Sequence, residues 1–179
     1  MLKTENAVLV IIDIQEKLAR IMNDLERTVK NMQTLIRGIQ VFNIPIVVTE
    51  QYPRGLGSTI PEIAQLLPDV QPIPKVHFSC CDNEDFTRAL QATGRKQVLL
   101  SGIECHVCVY QTAIDLLKAN YEVYAVSDTI TTRIPENKTI GLNLMSSNGA
   151  VITSMETVLF ELLKIAKGEQ FKAISQIVR

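Results

Sequence analysis

The sequence predicts an α/β fold in which helices cover both faces of a parallel β-sheet, built as one domain over residues 1–179. Short apolar, β-branched runs of the kind buried in parallel sheets alternate with longer segments of helical spacing, roughly six times along the chain. The composition agrees, because 179 residues with 46% hydrophobic and 21% charged side chains are enough for one sizeable core.

Each predicted strand is a short apolar run, and most are followed by a segment of helical spacing. The predicted strands are Ala7–Ile14, Ile44–Thr49, Gln71–Lys75, Gln97–Ser101, Tyr121–Ser127 and Ala150–Thr153. The predicted helices are 16–42, Ile60–Leu67, Asn83–Ala92, Val107–Ala119, Pro135–Ser146 and Met155–Lys167. Pro72 and Pro74 place the third strand at a sheet edge. Gln51–Ser58, rich in Pro and Gly, is predicted as a loop, and Phe171–Val178 as an apolar tail.

Charge and composition exclude several classes of function. The net charge of −1, with no Trp, predicts no surface for nucleic acid. The longest apolar run is too short for a membrane span, and no signal peptide is recognisable, so we expect a cytoplasmic protein without membrane contact. The four Cys form neither a disulfide framework nor a zinc-type ligand pattern.

Ligands of open parallel sheets bind at the carboxyl ends of the strands, so the residues that follow the strands are the candidates. Cys108 lies where the fourth strand meets a helix, a place whose free N–H groups and helix dipole favour a thiolate. A lone Cys there is also compatible with simple burial. Asp13 follows the first strand, as a helix cap or a functional carboxylate, and Lys75 follows the third, as a surface charge or a functional cation.

Taken together, the three residues suit nucleophilic catalysis. Lys75 can lie between a carboxylate and a thiolate, and Asp13 can accept the Cys108 proton and later give it to a leaving amine. Cys108 would then attack a carbonyl carbon to form a thioester that water hydrolyses. The Cys108 N–H is a candidate oxyanion donor.

The segments VLVIIDIQ with Asp13, PKVHFS with Lys75 and SGIECHVCVYQTAIDLL with Cys108 resemble the isochorismatase-like cysteine hydrolase superfamily, which includes nicotinamidases and carbamoylsarcosine amidohydrolases. The resemblance implies a Rossmann-like, six-stranded parallel sheet of order 3-2-1-4-5-6 and a catalytic triad of Asp13, Lys75 and Cys108. It also implies a cis peptide between Ile103 and Glu104, with the Glu104 N–H as second oxyanion donor, and a homo-oligomer.

Departures from the family patterns narrow the range of expected substrates. Residues 49–74 contain no His, so we expect neither a nicotinamidase-type metal site nor another cofactor. The presence of Cys108 argues against the vinyl-ether cleavage of true isochorismatases. TEQYPRGLGSTIPE resembles the isochorismatase-domain-containing subgroup. We therefore expect hydrolysis of an amide-like C–N bond in a small molecule. A non-catalytic scaffold and a divergent nicotinamidase or isochorismatase are the alternatives.

Further candidates surround the triad. Those considered for the substrate pocket are Gln15, Glu50, Tyr52, Phe78 and His106. Two of them have alternative interpretations: Gln15 can lie at the surface, and His106 can form hydrogen bonds within its own loop. Cys105, three residues before Cys108, is a candidate for a reversible disulfide with it.

Overall fold

A six-stranded parallel sheet forms the middle layer of the computed structural model, which describes residues 1–179. The strands are β1 (Ala7–Ile12), β2 (Ile46–Gln51), β3 (Ile73–Lys75), β4 (Gln97–Gly102), β5 (Glu122–Ile130) and β6 (Val151–Thr153). Their order across the sheet is β3-β2-β1-β4-β5-β6. The predicted fold class and the strand order implied by the resemblance are therefore confirmed.

Nine α-helices surround the sheet. They are α1 (Glu16–Ala19), α2 (Leu25–Val41), α3 (Pro53–Leu56), α4 (Pro61–Ala64), α5 (Glu84–Ala92), α6 (Tyr110–Lys118), α7 (Pro135–Ser147), α8 (Met155–Leu163) and α9 (Glu169–Ile177). The apolar faces of α2, α8 and α9 pack on one side of the sheet, and those of α5, α6 and α7 on the other. None of the helices combines the length and the apolar composition needed to cross a membrane.

Strand β1 lies at the centre of the sheet and has no solvent exposure along its whole length. Its side chains alternate between the two cores, so Leu9 and Ile11 face α2 while Val8 and Val10 face the opposite helices. Burial on both faces explains why this run is continuously apolar. Because β1 pairs with both β2 and β4, the residue that follows it emerges between the ends of those two strands.

Two predicted helices are interrupted or end early, although the helical spacing of their apolar residues continues. The predicted helix over 16–42 is two helices, since Asp24 takes a left-handed conformation at φ 50° between α1 and α2. The predicted helix Met155–Lys167 ends at Leu163, because Lys164 is left-handed at φ 61°. A spacing of 3.6 residues records which side chains are buried and not where the backbone turns.

Three segments are more regular than predicted. The predicted loop Gln51–Ser58 contains the end of β2 and the short helix α3, which begins at Pro53. The tail over 171–178 lies mostly in α9, and its Ile174 is fully buried within its own chain. Strand β5 runs on to Ile130, so Asp128 lies within the strand, where its Oδ1 accepts a hydrogen bond from the Met155 N–H at 2.8 Å. Other boundaries differ from the prediction by a few residues.

Gly102, at the end of β4, lies directly against the backbone of β1. Its φ is 117°, and a Cβ atom there would overlap the backbone of Ile12. We expect Gly102→Ala to lower the free energy of unfolding by at least about 2 kcal/mol, because steric overlap adds to backbone strain. Gly94→Ala is the matched control, because Gly94 has φ 67° and open space around it, and should lose only about 1 kcal/mol. Equal losses in urea denaturation would contradict this account.

Candidate active site

Asp13 follows β1 and is fully buried at the carboxyl edge of the sheet. Its φ of 52° turns the chain sharply, and its carboxylate caps no helix. Oδ1 accepts a hydrogen bond from the Thr49 hydroxyl at 2.8 Å, and Oδ2 accepts one from Lys75 Nζ at 2.6 Å. Both oxygens of a carboxylate that water does not reach are thus satisfied.

Lys75 ends the edge strand β3 and extends past β2 to Asp13. Its side chain has no solvent exposure. Besides Asp13, Nζ donates to Gln51 Oε1 at 2.6 Å and to the His77 carbonyl at 3.1 Å. An ammonium group has three N–H bonds, and these three acceptors use all of them, so none is left to bind the Cys108 thiol. Lys75 therefore acts on Cys108 by its charge and not by a hydrogen bond.

Cys108 lies in a π-helical turn, Cys105–Val109, between β4 and α6. It is buried, with 7% of its surface exposed. The pKa of the Cys108 thiol is raised to about 12: burial is the largest cause, the negative charge of Asp13 acts in the same direction, and the positive charge of Lys75 opposes both. The expectation that this place favours a thiolate is wrong for the resting protein, because loss of hydration outweighs the cation.

A second thiol, which no sequence pattern singled out, lies in the same cluster. Cys80 is fully buried, with its Sγ 3.8 Å from the Thr49 hydroxyl that binds Asp13. Its N–H donates to the Thr112 hydroxyl, one turn after Cys108, at 3.0 Å. Burial raises the pKa of Cys80 to about 11. In the sequence, the only sign that Cys80 lies near Asp13 and Lys75 is its position five residues after Lys75.

Cys105 faces away from the cluster. Its Sγ lies 3.6 Å from the Lys138 carbonyl oxygen and against Gly141 on α7. All four cysteines are free thiols. A disulfide between Cys105 and Cys108 is therefore not formed, and the Cys105 side chain packs as part of the core.

The loop between β4 and Cys108 contains the cis peptide between Ile103 and Glu104 that the resemblance implied. The Glu104 N–H donates to no group of the protein. The Glu104 carboxylate accepts hydrogen bonds from the Thr132 hydroxyl at 3.1 Å and from Arg133 Nε at 3.0 Å. These bonds outweigh partial burial and lower the pKa of Glu104.

His106 belongs to the hydrogen-bond network of this loop. Its Nδ1 is 3.0 Å from the Thr132 hydroxyl, and its Nε2 is 3.4 Å from Asn137 Nδ2. Because the Thr132 hydroxyl already donates to Glu104, the network assigns the proton to Nδ1 and leaves Nε2 as acceptor. Both ring nitrogens are thus occupied, and neither contacts Cys108.

Two of the pocket candidates, Gln15 and Glu50, form hydrogen bonds to the loop after β2. Gln15 is fully buried, and its Nε2 donates to the Gly57 carbonyl at 2.6 Å. Glu50 Oε1 accepts from the Thr59 N–H at 2.7 Å. Tyr52 and Phe78 are more than half exposed at the rim of the site. Tyr52 also lines a cavity of about 460 Å³ together with Lys75 and His77.

No group of three or more His, Cys, Asp or Glu side chains lies close enough together to hold a metal ion. The arrangement can instead supply a nucleophile, a buried carboxylate to take its proton, and a cation that holds the carboxylate in place.

Removing one partner of the buried pair should be costly. We expect Lys75→Met to lower the free energy of unfolding by about 3–5 kcal/mol, because Asp13 would remain buried without its cation. The double variant Lys75→Met/Asp13→Asn should be more stable than the single variant, since no unpaired charge remains. Urea denaturation measures both, and a double variant less stable than the single one would contradict the assignment.

Comparisons with known proteins identify relatives of this chain. The family model described as the isochorismatase domain matches residues 7–157. A secreted isochorismatase effector, Isc1, of Phytophthora sojae is 36% identical, over 97% of this chain and 85% of its own. Isochorismatase domain-containing protein 2 of Danio rerio is 34% identical, over 99% of this chain and 89% of its own.

Solved structures share the fold over nearly the whole chain. The MAR1 ribonuclease of Caenorhabditis elegans superposes with a TM-score of 0.93 at 30% identity, covering 99% of this chain and 91% of that one. The YcaC product of Escherichia coli, described as an octameric hydrolase of unknown specificity, has a TM-score of 0.93 at 26% identity, with coverages of 98% and 88%. With a matching family model over most of its length, this chain belongs to the isochorismatase family.

Proposed function

We propose that this protein is a cysteine-dependent hydrolase that cleaves an amide-like C–N bond in a small molecule, with Asp13, Lys75 and Cys108 as its catalytic triad. The observation that carries the proposal is the Asp13–Lys75 ion pair, 2.6 Å long and closed to solvent beside a buried thiol. A buried ion pair contributes little net stability, so its presence beside a nucleophile favours a catalytic role. The isochorismatase-family fold agrees with a hydrolase.

The first step is nucleophilic attack. As the substrate carbonyl approaches, the Cys108 proton moves to Asp13, and Sγ forms a bond to the carbonyl carbon while the π electrons move to oxygen. The N–H groups of Glu104 and Cys108 are the proposed donors to this oxyanion. The free Glu104 N–H supports that role, because it has no competing acceptor in the protein.

The remaining steps return the site to its starting state. The C–N bond breaks, the amine takes the proton from Asp13, and a thioester remains on Cys108. Water then attacks the thioester carbon, Asp13 accepts a proton from this water, and that proton returns to the sulfur as the carboxylic acid leaves. Lys75 holds Asp13 in place throughout and offsets the negative charge that passes between Asp13 and Cys108.

A protonated resting thiol fits this scheme. The raised pKa of Cys108 keeps its proton on sulfur until a substrate arrives, and the same Asp13 charge that raises this pKa provides the acceptor. Transfer of the proton from Cys108 to Asp13 leaves the total charge of the buried cluster unchanged. A reaction that conserves charge inside a poorly hydrated site avoids the large penalty of creating a new buried ion.

Assembly and location are also part of the proposal. The octameric description of the E. coli neighbour and the exposed apolar side chains Ile134, Ile140 and Leu144 on and before α7 support a homo-oligomer. The apolar tail adds no support, because α9 already packs against α2. Four free thiols suit a reducing compartment such as the cytoplasm, whereas the P. sojae relative is described as secreted.

Ammonia release from a panel of small primary amides, nicotinamide included, tests the activity. We expect at least one compound to be hydrolysed, and Cys108→Ala to abolish its hydrolysis because the nucleophile is removed. Cys105→Ala is the matched control, since Cys105 is a buried thiol facing α7. Turnover that survives in Cys108→Ala would contradict the proposal.

Asp13→Asn separates ionisation of the thiol from catalysis. The substitution removes a negative charge, so we expect the pKa of Cys108 to fall below that of the wild type. It also removes the proposed base, so turnover should drop by about 100-fold or more. Ultraviolet titration of the thiolate, with Cys108→Ala as reference, measures the pKa, and steady-state assays measure turnover. A variant with an unchanged thiol pKa or with wild-type turnover would remove Asp13 from its role.

A further inference from the structure

Gln51 holds Lys75 from two directions. The two residues are register partners at the ends of β2 and β3. Gln51 Oε1 accepts a hydrogen bond from Lys75 Nζ at 2.6 Å, as short as the bond to Asp13. Its Nε2 donates to the carbonyl of Val76, the residue after Lys75, at 2.8 Å. One amide thus binds both the ammonium group and the backbone that carries it.

Gln51 is itself fixed by a buried side chain. Gln15 Oε1 accepts from the Gln51 N–H at 2.6 Å, and Gln15 Nε2 donates to the Gln51 carbonyl at 3.0 Å. The Gln15 amide therefore binds both backbone groups of Gln51, as a neighbouring strand would. Since Gln15 follows Asp13 by two residues, one short segment sets the position of Asp13 and, through Gln51, that of Lys75.

The Gln51 side chain contributes to the cluster by being uncharged as well as by accepting a hydrogen bond from Lys75. The titratable groups of the buried cluster around Lys75 are Asp13, Cys80 and Cys108, and those of Tyr52, Arg54 and His77 line the cavity next to it. A glutamine supplies the acceptor that Lys75 needs and adds no charge. A carboxylate at this position would compete with Asp13 for the only cation of the buried cluster, and an apolar side chain would replace the short bond to Gln51 by the longer contact to the Phe78 carbonyl at 3.4 Å.

We propose that Gln51 is a positioning residue of the active site, one that acts through Lys75 and sets the protonation balance between Asp13 and Cys108. The inference rests on the proposed function, because it takes Cys108 as the nucleophile. It gives the Gln15–Gln51 contact a catalytic purpose beyond fixing the loop after β2.

The test is the rate of Cys108 alkylation by iodoacetamide as a function of pH, followed by peptide mass spectrometry. Gln51→Glu keeps the hydrogen-bond acceptor for Lys75 and adds a negative charge. The midpoint, which is the pH at which the alkylation rate reaches half of its maximum on the acid side, should therefore rise by about one unit, while the maximal rate is retained. Gln51→Met removes the acceptor without adding charge, so the maximal rate should fall about tenfold and the midpoint should not rise.

Gln91→Glu and Gln91→Met are the matched controls, because Gln91 is exposed on α5, and their profiles should coincide with that of the wild type. If the two Gln51 variants slow alkylation equally and leave the midpoint in place, Gln51 has only a structural role and the inference is overturned. Profiles identical to the wild type overturn it as well. Neither result contradicts the proposed function. The proposed function fails if wild-type Cys108 reacts with iodoacetamide no faster than Cys81 near neutral pH.

Discussion

The buried ion pair between Asp13 and Lys75 is the interaction on which the rest of the site depends. Two charges without solvent exposure are stable only when each is fully hydrogen-bonded. Thr49, Gln51 and the His77 carbonyl complete that requirement around the pair. The geometry of these strand ends is therefore set by the need to satisfy one carboxylate and one ammonium, and the charges of this pair act on the thiol of Cys108.

The sheet order explains how these groups meet. The pair connects the central strand β1 with the edge strand β3, while Cys108 follows β4 on the other side of β1. Because parallel strands end at the same edge, residues 13, 75 and 108 converge although they are far apart in sequence. The left-handed turn at Asp13 and the glycine at 102 bring the ends of β1 and β4 close enough for this convergence.

Much of the fold was predictable from the sequence, as was the position of the three candidate catalytic residues at strand ends, and the exceptions have physical causes. Apolar runs showed the six strands, and strand-end chemistry singled out Asp13, Lys75 and Cys108. The break at Asp24 was missed because side-chain spacing does not report backbone conformation. Gln51 and Cys80 were missed because their importance arises from the contacts with Lys75 and Thr49, which exist only in the folded sheet. The protonated state of Cys108 was missed because sequence position suggested a helix terminus and could not show the degree of burial.

The central claim is that Asp13 activates Cys108 by accepting its proton, and competition among the cysteines tests it most directly. Burial raises the pKa of both Cys81 and Cys108 to about 12, and Cys81 is the more exposed of the two. Neither resting ionisation nor access therefore favours Cys108. The measurement is the fraction of each cysteine labelled by a limiting amount of iodoacetamide at neutral pH. The account predicts that Cys108 is labelled first, and labelling that follows exposure, with Cys81 first, would contradict it.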